Sequence, residues 1–316
     1  MKRSFSLDTI GGGMKAQKWF WDEVAEMAGA CGYDAIEIPF TAWTFNAGRS
    51  GAPLCAVAIR TKFGSVQNYV DFLKSCKLGG ISSIAITADN VLGTMFEDNV
   101  DPSHIFEKIV DLGKETTDVL AEAGAKGLVI SPSPKIATMR GVFGQMSEED
   151  RVAWYFENAA KAVNEVADYA AAAGVNTYIR NEFWGYMRGD NVSKFMDMLD
   201  SKIGFSPDLC QLYIAEADAV ALIKKYAGRL GYIKVNDSFY KDELHYFDKS
   251  IPEYPAEGNN QRVYCDLGNG KVDVVSAYKA YEACGGEWAV FSSKESFDHV
   301  KAMVKMQVYA NKYLSV

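Results

Sequence analysis

The chain has 316 residues, 48% hydrophobic and 23% charged, with 33 Lys plus Arg against 41 Asp plus Glu for a formal charge of −8. That much apolar surface buries a full core and excludes disorder as the main state. The acidic balance, with no dense basic stripe to neutralise phosphates, argues against a nucleic-acid partner.

The opening stretch MKRSFSLDTIGGGMKAQKWF carries only a short mixed segment before Gly11, Gly12 and Gly13, too short and too polar for the apolar region of a signal peptide. No later stretch reaches the roughly 18 apolar residues of a membrane span. The expectation is a soluble, cytoplasmic protein without a membrane partner. Phe5-Ser6-Leu7 is the first strand-like run. A helical pattern from Lys18, with Phe20, Val24, Ala25 and Met27 on one face, stops at Gly32 and leads into Ala35-Ile36-Glu37-Ile38.

The same phrase recurs along the chain. A third strand is predicted over 83–86, a fourth at Gly127-Leu128-Val129-Ile130 after a glycine stop at Gly124, and a fifth over 175–179 after Gly174. Ile203-Gly204-Phe205, residues 230–235 and residues 288–291 supply the rest. Eight strands, each followed by a helical pattern, predict an α/β fold: a (β/α)8 TIM barrel in one domain over 1–316. The open doubly wound alternative lacks a GxGxxG after its first strand. Two connections are long, 40–64 after the second strand and 237–270 after the seventh, and both are predicted to roof the site at the C-terminal mouth.

The six cysteines, Cys31, Cys55, Cys76, Cys210, Cys265 and Cys284, show no CxxC pair and no short spacing to the three histidines. Free thiols are expected, not a zinc knuckle or a disulfide framework. His104 and His299 lie in helical patterns and read as surface or packing residues. His245, in the long loop after strand seven, could bring a group with near-neutral pKa over the mouth.

Barrel chemistry sits where strands end. The polar residues there are Asp8, Glu37, Thr87 with Asp89, Ser131, Asn181 with Glu182, Asp208 with Gln211, Lys234 with Asn236 and Asp237, and Ser292 with Ser293 and Lys294. After Glu182, the run Phe183-Trp184-Gly185-Tyr186-Met187-Arg188-Gly189 offers aromatic faces for sugar C–H surfaces and a guanidinium that can fork onto a carboxylate, phosphate or diol.

With strand order and these strand ends together, the chain resembles the xylose isomerase-like TIM barrels, a superfamily of sugar isomerases, epimerases and inosose dehydratases. The resemblance implies a divalent metal, often Mn2+, held by Glu from strand five, Asp from strand six, His from strand seven and Glu from strand eight. Glu182 and Asp208 match the first two positions, and the family's Asp-x-x-His becomes Asp208-x-x-Gln211. Lys234 stands where the His is expected and Ser292 where the last Glu is expected. A protonated Lys is no metal ligand and repels a cation. The expectation is therefore no cofactor, with Mn2+ or another divalent metal on Glu182 and Asp208 as the alternative.

On this reading the catalytic residues are Glu182, Asp208 and Lys234: the ammonium replaces the metal as the cation, and a carboxyl moves the proton next to a sugar carbonyl. A deprotonated Lys234 could instead form a Schiff base with a keto sugar. Asn181, Trp184, Arg188, Gln211, Asp237, His245 and Ser292 are assigned to substrate binding. The expected function is a sugar or keto-sugar isomerase or epimerase with a small carbohydrate as partner. A keto-sugar lyase of dehydratase or C-glycoside-cleaving type stays open, as does a non-catalytic sugar-binding or partner subunit, and so does a homo-oligomer. Glu182, Asp208, Lys234 and Arg180 would equally suit a buried structural ion network.

Overall fold

The structure is a computed structural model that describes residues 1–10, 20–41, 52–243, 263–294, 296 and 298–314. Its parallel strands are β1 (Lys2–Ser6), β2 (Ala35–Phe40), β3 (Ile81–Thr87), β4 (Gly127–Ser131), β5 (Asn176–Ile179), β6 (Gly204–Phe205), β7 (Ile233–Val235) and β8 (Trp288–Phe291). They form an 8-stranded sheet in the order β6-β5-β4-β3-β2-β1-β8-β7. The two ends of that order meet. Parallel bridges join Phe205 to Leu230 and Asp208 to Lys234, and the N–H groups of Gly231 and Lys234 donate at 2.8 Å to the carbonyls of Phe205 and Pro207. The sheet is thereby closed into the (β/α)8 barrel expected from the strand count.

Helices wrap this barrel because their apolar residues recur at helical spacing. In Ile105–Glu122 the buried face includes Ile105, Ile109, Leu112, Thr116, Val119 and Leu120. Glu148–Ala172 starts where the Ser147 hydroxyl accepts from the Asp150 N–H at 3.1 Å, with Glu148, Glu149 and Asp150 in its first turn. Gly124 and Gly174, which follow these helices, have φ of 67° and 74°, the left-handed exit that the glycine stops predicted.

Strand alternation sorts the barrel interior into layers. Tyr178, Tyr232 and Trp288 pack at the N-terminal end against Ala85, Val129 and Val290. Gly127 and Gly231 are required beside these rings, since a Cβ would stand 2.4 Å from the Tyr232 ring or 2.3 Å from the Tyr178 ring. A cavity of about 510 Å³ opens at this mouth, lined by Lys2, Lys126, Glu287, Tyr178, Tyr232 and Trp288. It lies at the opposite end of the barrel from the strand-end residues. Ser6, Glu37, Ser83, Arg180, Ser206 and Lys234, on the strands or just after them, form a buried polar layer.

Of the long connections, residues 42–51 and 244–262 lie outside the described residues, so His245 does too. Within the described part, Ala56–Phe63 forms a helix and Asp237 bridges Cys265. All six cysteines are free, with Cys55, Cys76 and Cys210 buried. Among the described residues no helix is long and apolar enough to cross a membrane.

Candidate active site

The polar layer contains an ion cluster whose four charged members come from β1, β2, β5 and β7 or the residues just after them. The Lys234 ammonium contacts the Asp8 carboxylate and lies 3.1 Å from Glu37 Oε1 and 3.4 Å from Ser6 Oγ. Arg180 forks onto the other side of Glu37, at 3.1 Å and 2.6 Å to its two oxygens. The hydroxyls of Ser6 and Ser83 donate to Glu37 at 3.0 and 3.2 Å, and Ser292 donates to Asp8 at 2.6 Å. Burial pushes the Glu37 carboxyl up, but the Arg180 and Lys234 charges prevail and bring it down to about 2. Asp8 behaves alike: burial opposes ionisation, yet Lys234 holds it far below the carboxylate range. Burial also works against a charged Lys234, and Asp8 and Glu37 outweigh it, so the amine stays protonated.

Glu182 has the opposite balance. It is buried at the end of β5, and one of its oxygens, Oε2, has no hydrogen-bond partner among the described residues. Burial is the main cause pushing its pKa well above the carboxylate range, reinforced by the charge of Asp89 and opposed by Lys294 and a hydrogen bond from Ser131. Asp208 is raised as well, by burial first, against the pull of Lys234 and Arg180. Two carboxyls near one mouth, one of them half unpaired and both raised in pKa, are suited to proton transfer.

Several predicted residues act on other residues. Asp208 caps the helix Leu209–Ile214, its Oδ1 accepting from the Gln211 N–H at 3.1 Å and from Asn236 Nδ2 at 2.9 Å. Asn181 clasps the Asp208 backbone at 2.9 Å and 3.3 Å. Gln211 Oε1 accepts from the Phe183 N–H at 3.0 Å and so sets the start of the aromatic run. Arg188 pairs with the buried Asp242 at 3.1 Å. The Asp237 carboxylate accepts from the N–H groups of Ser238, Gly268, Gly270 and Val272, which makes it the anchor of the turn before the last strand–helix unit. Ser292 belongs to the ion cluster. Trp184 is buried, and its Nε1 has no partner among the described residues.

Sequence reasoning placed Asp8, Glu37 and Lys294 among the strand ends without assigning them a role, gave Arg180 only a structural one, and passed over Tyr264. The alternation 178, 180, 182 continued past the end of β5, and 288, 290, 292, 294 past the end of β8, was the available signal for Arg180 and Lys294. Nothing local marks Tyr264, which arrives from the long connection after β7. The Lys294 ammonium stands 4.5 Å from the Trp184 ring centroid and 5.5 Å from that of Tyr264.

The described residues do not fit the divalent metal that the resemblance implies. An ammonium neutralised by Asp8 and Glu37 takes the place of one ligand, and a hydroxyl committed to Asp8 takes another. Asp208 Oδ1 is already occupied by two donors. Among the described residues no three His, Cys, Asp or Glu side chains converge as a metal site.

A family model described as xylose isomerase-like TIM barrel matches residues 25–283. No curated protein matches the chain by sequence. Solved structures do match its fold. A D-allulose 3-epimerase from Methylomonas sp., in complex with D-allulose, is similar with a TM-score of 0.65 at 18% identity, covering 99% of this chain and 97% of that one. A probable 3-DHS dehydratase from Bacillus anthracis has a TM-score of 0.66 at 13% identity, with 99% of each chain covered. The IOLI protein with a bound zinc atom has a TM-score of 0.66 at 14% identity over 100% of both chains. At these identities the likeness is one of fold. The eight-stranded barrel, its strand-end carboxyls and the family match over most of the chain lead to one conclusion: the chain belongs to the xylose isomerase-like TIM barrel family.

Proposed function

We propose that the protein is an enzyme acting on a sugar or keto sugar by proton transfer at the carbon next to a carbonyl, as an isomerase or epimerase. The observation that carries this reading is Glu182, a buried carboxyl with one unpaired oxygen and a raised pKa at the C-terminal mouth of the barrel. A buried carboxyl with a raised pKa is a stronger base than an ordinary carboxylate and so is better suited to take up and return that proton. The C–H bond breaks, its electron pair becomes part of the enediolate C=C bond, and the carbonyl π pair moves onto oxygen. Return of the proton to the other face gives an epimer, and to the neighbouring carbon an isomer. Expulsion of a leaving group one carbon further on would make the same first step a lyase reaction.

The ion cluster gives this site a rigid floor. Lys234 supplies positive charge where the resemblance would put a metal ligand; Asp8 and Glu37 hold it, and Arg180 fixes Glu37. Because its amine stays protonated between two carboxylates, a Schiff base through Lys234 is disfavoured. The test is solvent exchange: the protein is incubated in D2O with D-allulose and D-fructose, and NMR follows deuterium entering next to the carbonyl. Wild type should exchange and form product, and Glu182→Gln should slow both by about 100-fold or more. Absence of exchange and product in wild type would overturn the reading in favour of a sugar-binding subunit.

A further inference from the structure

Above the ion cluster, three buried side-chain atoms have no hydrogen-bond partner among the described residues: Glu182 Oε2, Trp184 Nε1 and the Tyr264 hydroxyl. An unpaired buried polar group costs about 1–3 kcal/mol. Native proteins keep few of them outside sites that a ligand or the chemistry itself completes. The indole N–H can only donate, and burial keeps the Tyr264 phenol neutral and able to donate.

The three atoms belong to side chains gathered about one cation. Lys294 lies against the Trp184 and Tyr264 rings at 4.5 and 5.5 Å, positions at which a ring quadrupole attracts an ammonium. Its charge acts on Glu182 and on Asp8, so it overlooks the same mouth from the β8 side.

We propose that Trp184, Tyr264 and Lys294 form a subsite for a negatively charged oxygen of the substrate, with Lys294 as the cation that faces it. This deepens, and rests on, the keto-sugar reading above. Two sources share that chemistry: the enediolate oxygen formed when Glu182 takes the proton, or the permanent carboxylate of a sugar acid. Preformed donors at a developing oxyanion act chiefly on the transition state. A permanent carboxylate would show in ground-state affinity instead.

The experiment compares wild type, Lys294→Met and Tyr264→Phe, the last keeping the ring and losing only the hydroxyl. Deuterium exchange into D-allulose and D-fructose is measured beside calorimetric affinities for D-allulose, D-gluconate and D-sorbitol. For the enediolate, Lys294→Met should slow exchange by about 100-fold or more, and Tyr264→Phe by about 10-fold, with D-allulose affinity little changed. For a sugar acid, D-gluconate should bind wild type much more tightly than D-sorbitol, and Lys294→Met should abolish that preference. Exchange and affinities at wild-type level in both variants would overturn the subsite and leave the keto-sugar reading standing. Loss of the gluconate preference in a protein that never exchanges would keep the subsite and end that reading. Wild type that neither exchanges nor binds any probe would end both. Should Lys294→Met fail to fold, Tyr264→Phe decides on the same measurements.

Discussion

Lys234, Asp8 and Glu37 illustrate how strongly a buried charge depends on its partners. Removing the amine in Lys234→Met leaves Asp8 without its contacting cation and Glu37 with Arg180 alone, and breaking such a buried pair costs about 3–5 kcal/mol. The pH dependence follows from the lowered pKa values of Asp8 and Glu37. Carboxyls held below their unfolded values stabilise the fold above about pH 5 and lose that contribution as pH falls toward about 2. Urea unfolding of wild type should therefore weaken across that range. The deficit of Lys234→Met should shrink as the carboxylates protonate, and a deficit that is the same at both ends of the range would place the amine outside the ion cluster. Glu182 predicts the reverse: a buried, half-unpaired carboxyl opposes folding near neutral pH, so Glu182→Gln should raise Tm while losing activity. For the metal, protein incubated with Mn2+ and desalted should retain well below one equivalent. Stoichiometric retention would require ligands from outside the described residues.

At the scale of elements, the site depends on how connections are tied to strand ends. Asp237 collects the turn at Gly268, Gly270 and Val272 into one carboxylate, and a Cβ on Gly270 would stand 2.1 Å from Asp237 Oδ1. Asp237→Ala should cost about 1–3 kcal/mol, since one buried and three part-buried N–H groups lose a charged acceptor together. Hydrogen exchange localised to 267–272 is the measurement, and unchanged protection there would contradict this anchor role. Arg188 with Asp242 ties the connection after β5 to the one after β7 in a similar way.

Across the whole molecule, the strand neighbours β7, β8, β1 and β2, curled into a ring, bring Lys234 against Asp8 and Glu37, residues 226 and 197 positions away in the chain. The opposite mouth is sealed by rings that depend on glycine neighbours. Gly231→Ala should destabilise by about 1–3 kcal/mol through a clash with the Tyr178 ring, leaving the rate of sugar exchange close to wild type. A selective loss of exchange would instead show that the two ends of the barrel are coupled.

The repeated helix, glycine stop and apolar run determined eight strands and the barrel, because hydrophobic periodicity and left-handed glycine exits are local properties. Strand ends were legible for the same reason, and Glu182, Asp208 and Lys234 were found there. Partnership was not legible. That Lys234 meets Asp8 and Glu37, that Arg180 grips Glu37, that Asp237 is taken up by a turn, and that Tyr264 stands beside Trp184 and Lys294 were decided by tertiary structure alone. Charges interact through space, and only the closed ring of strands sets the distances between residues so far apart in the chain.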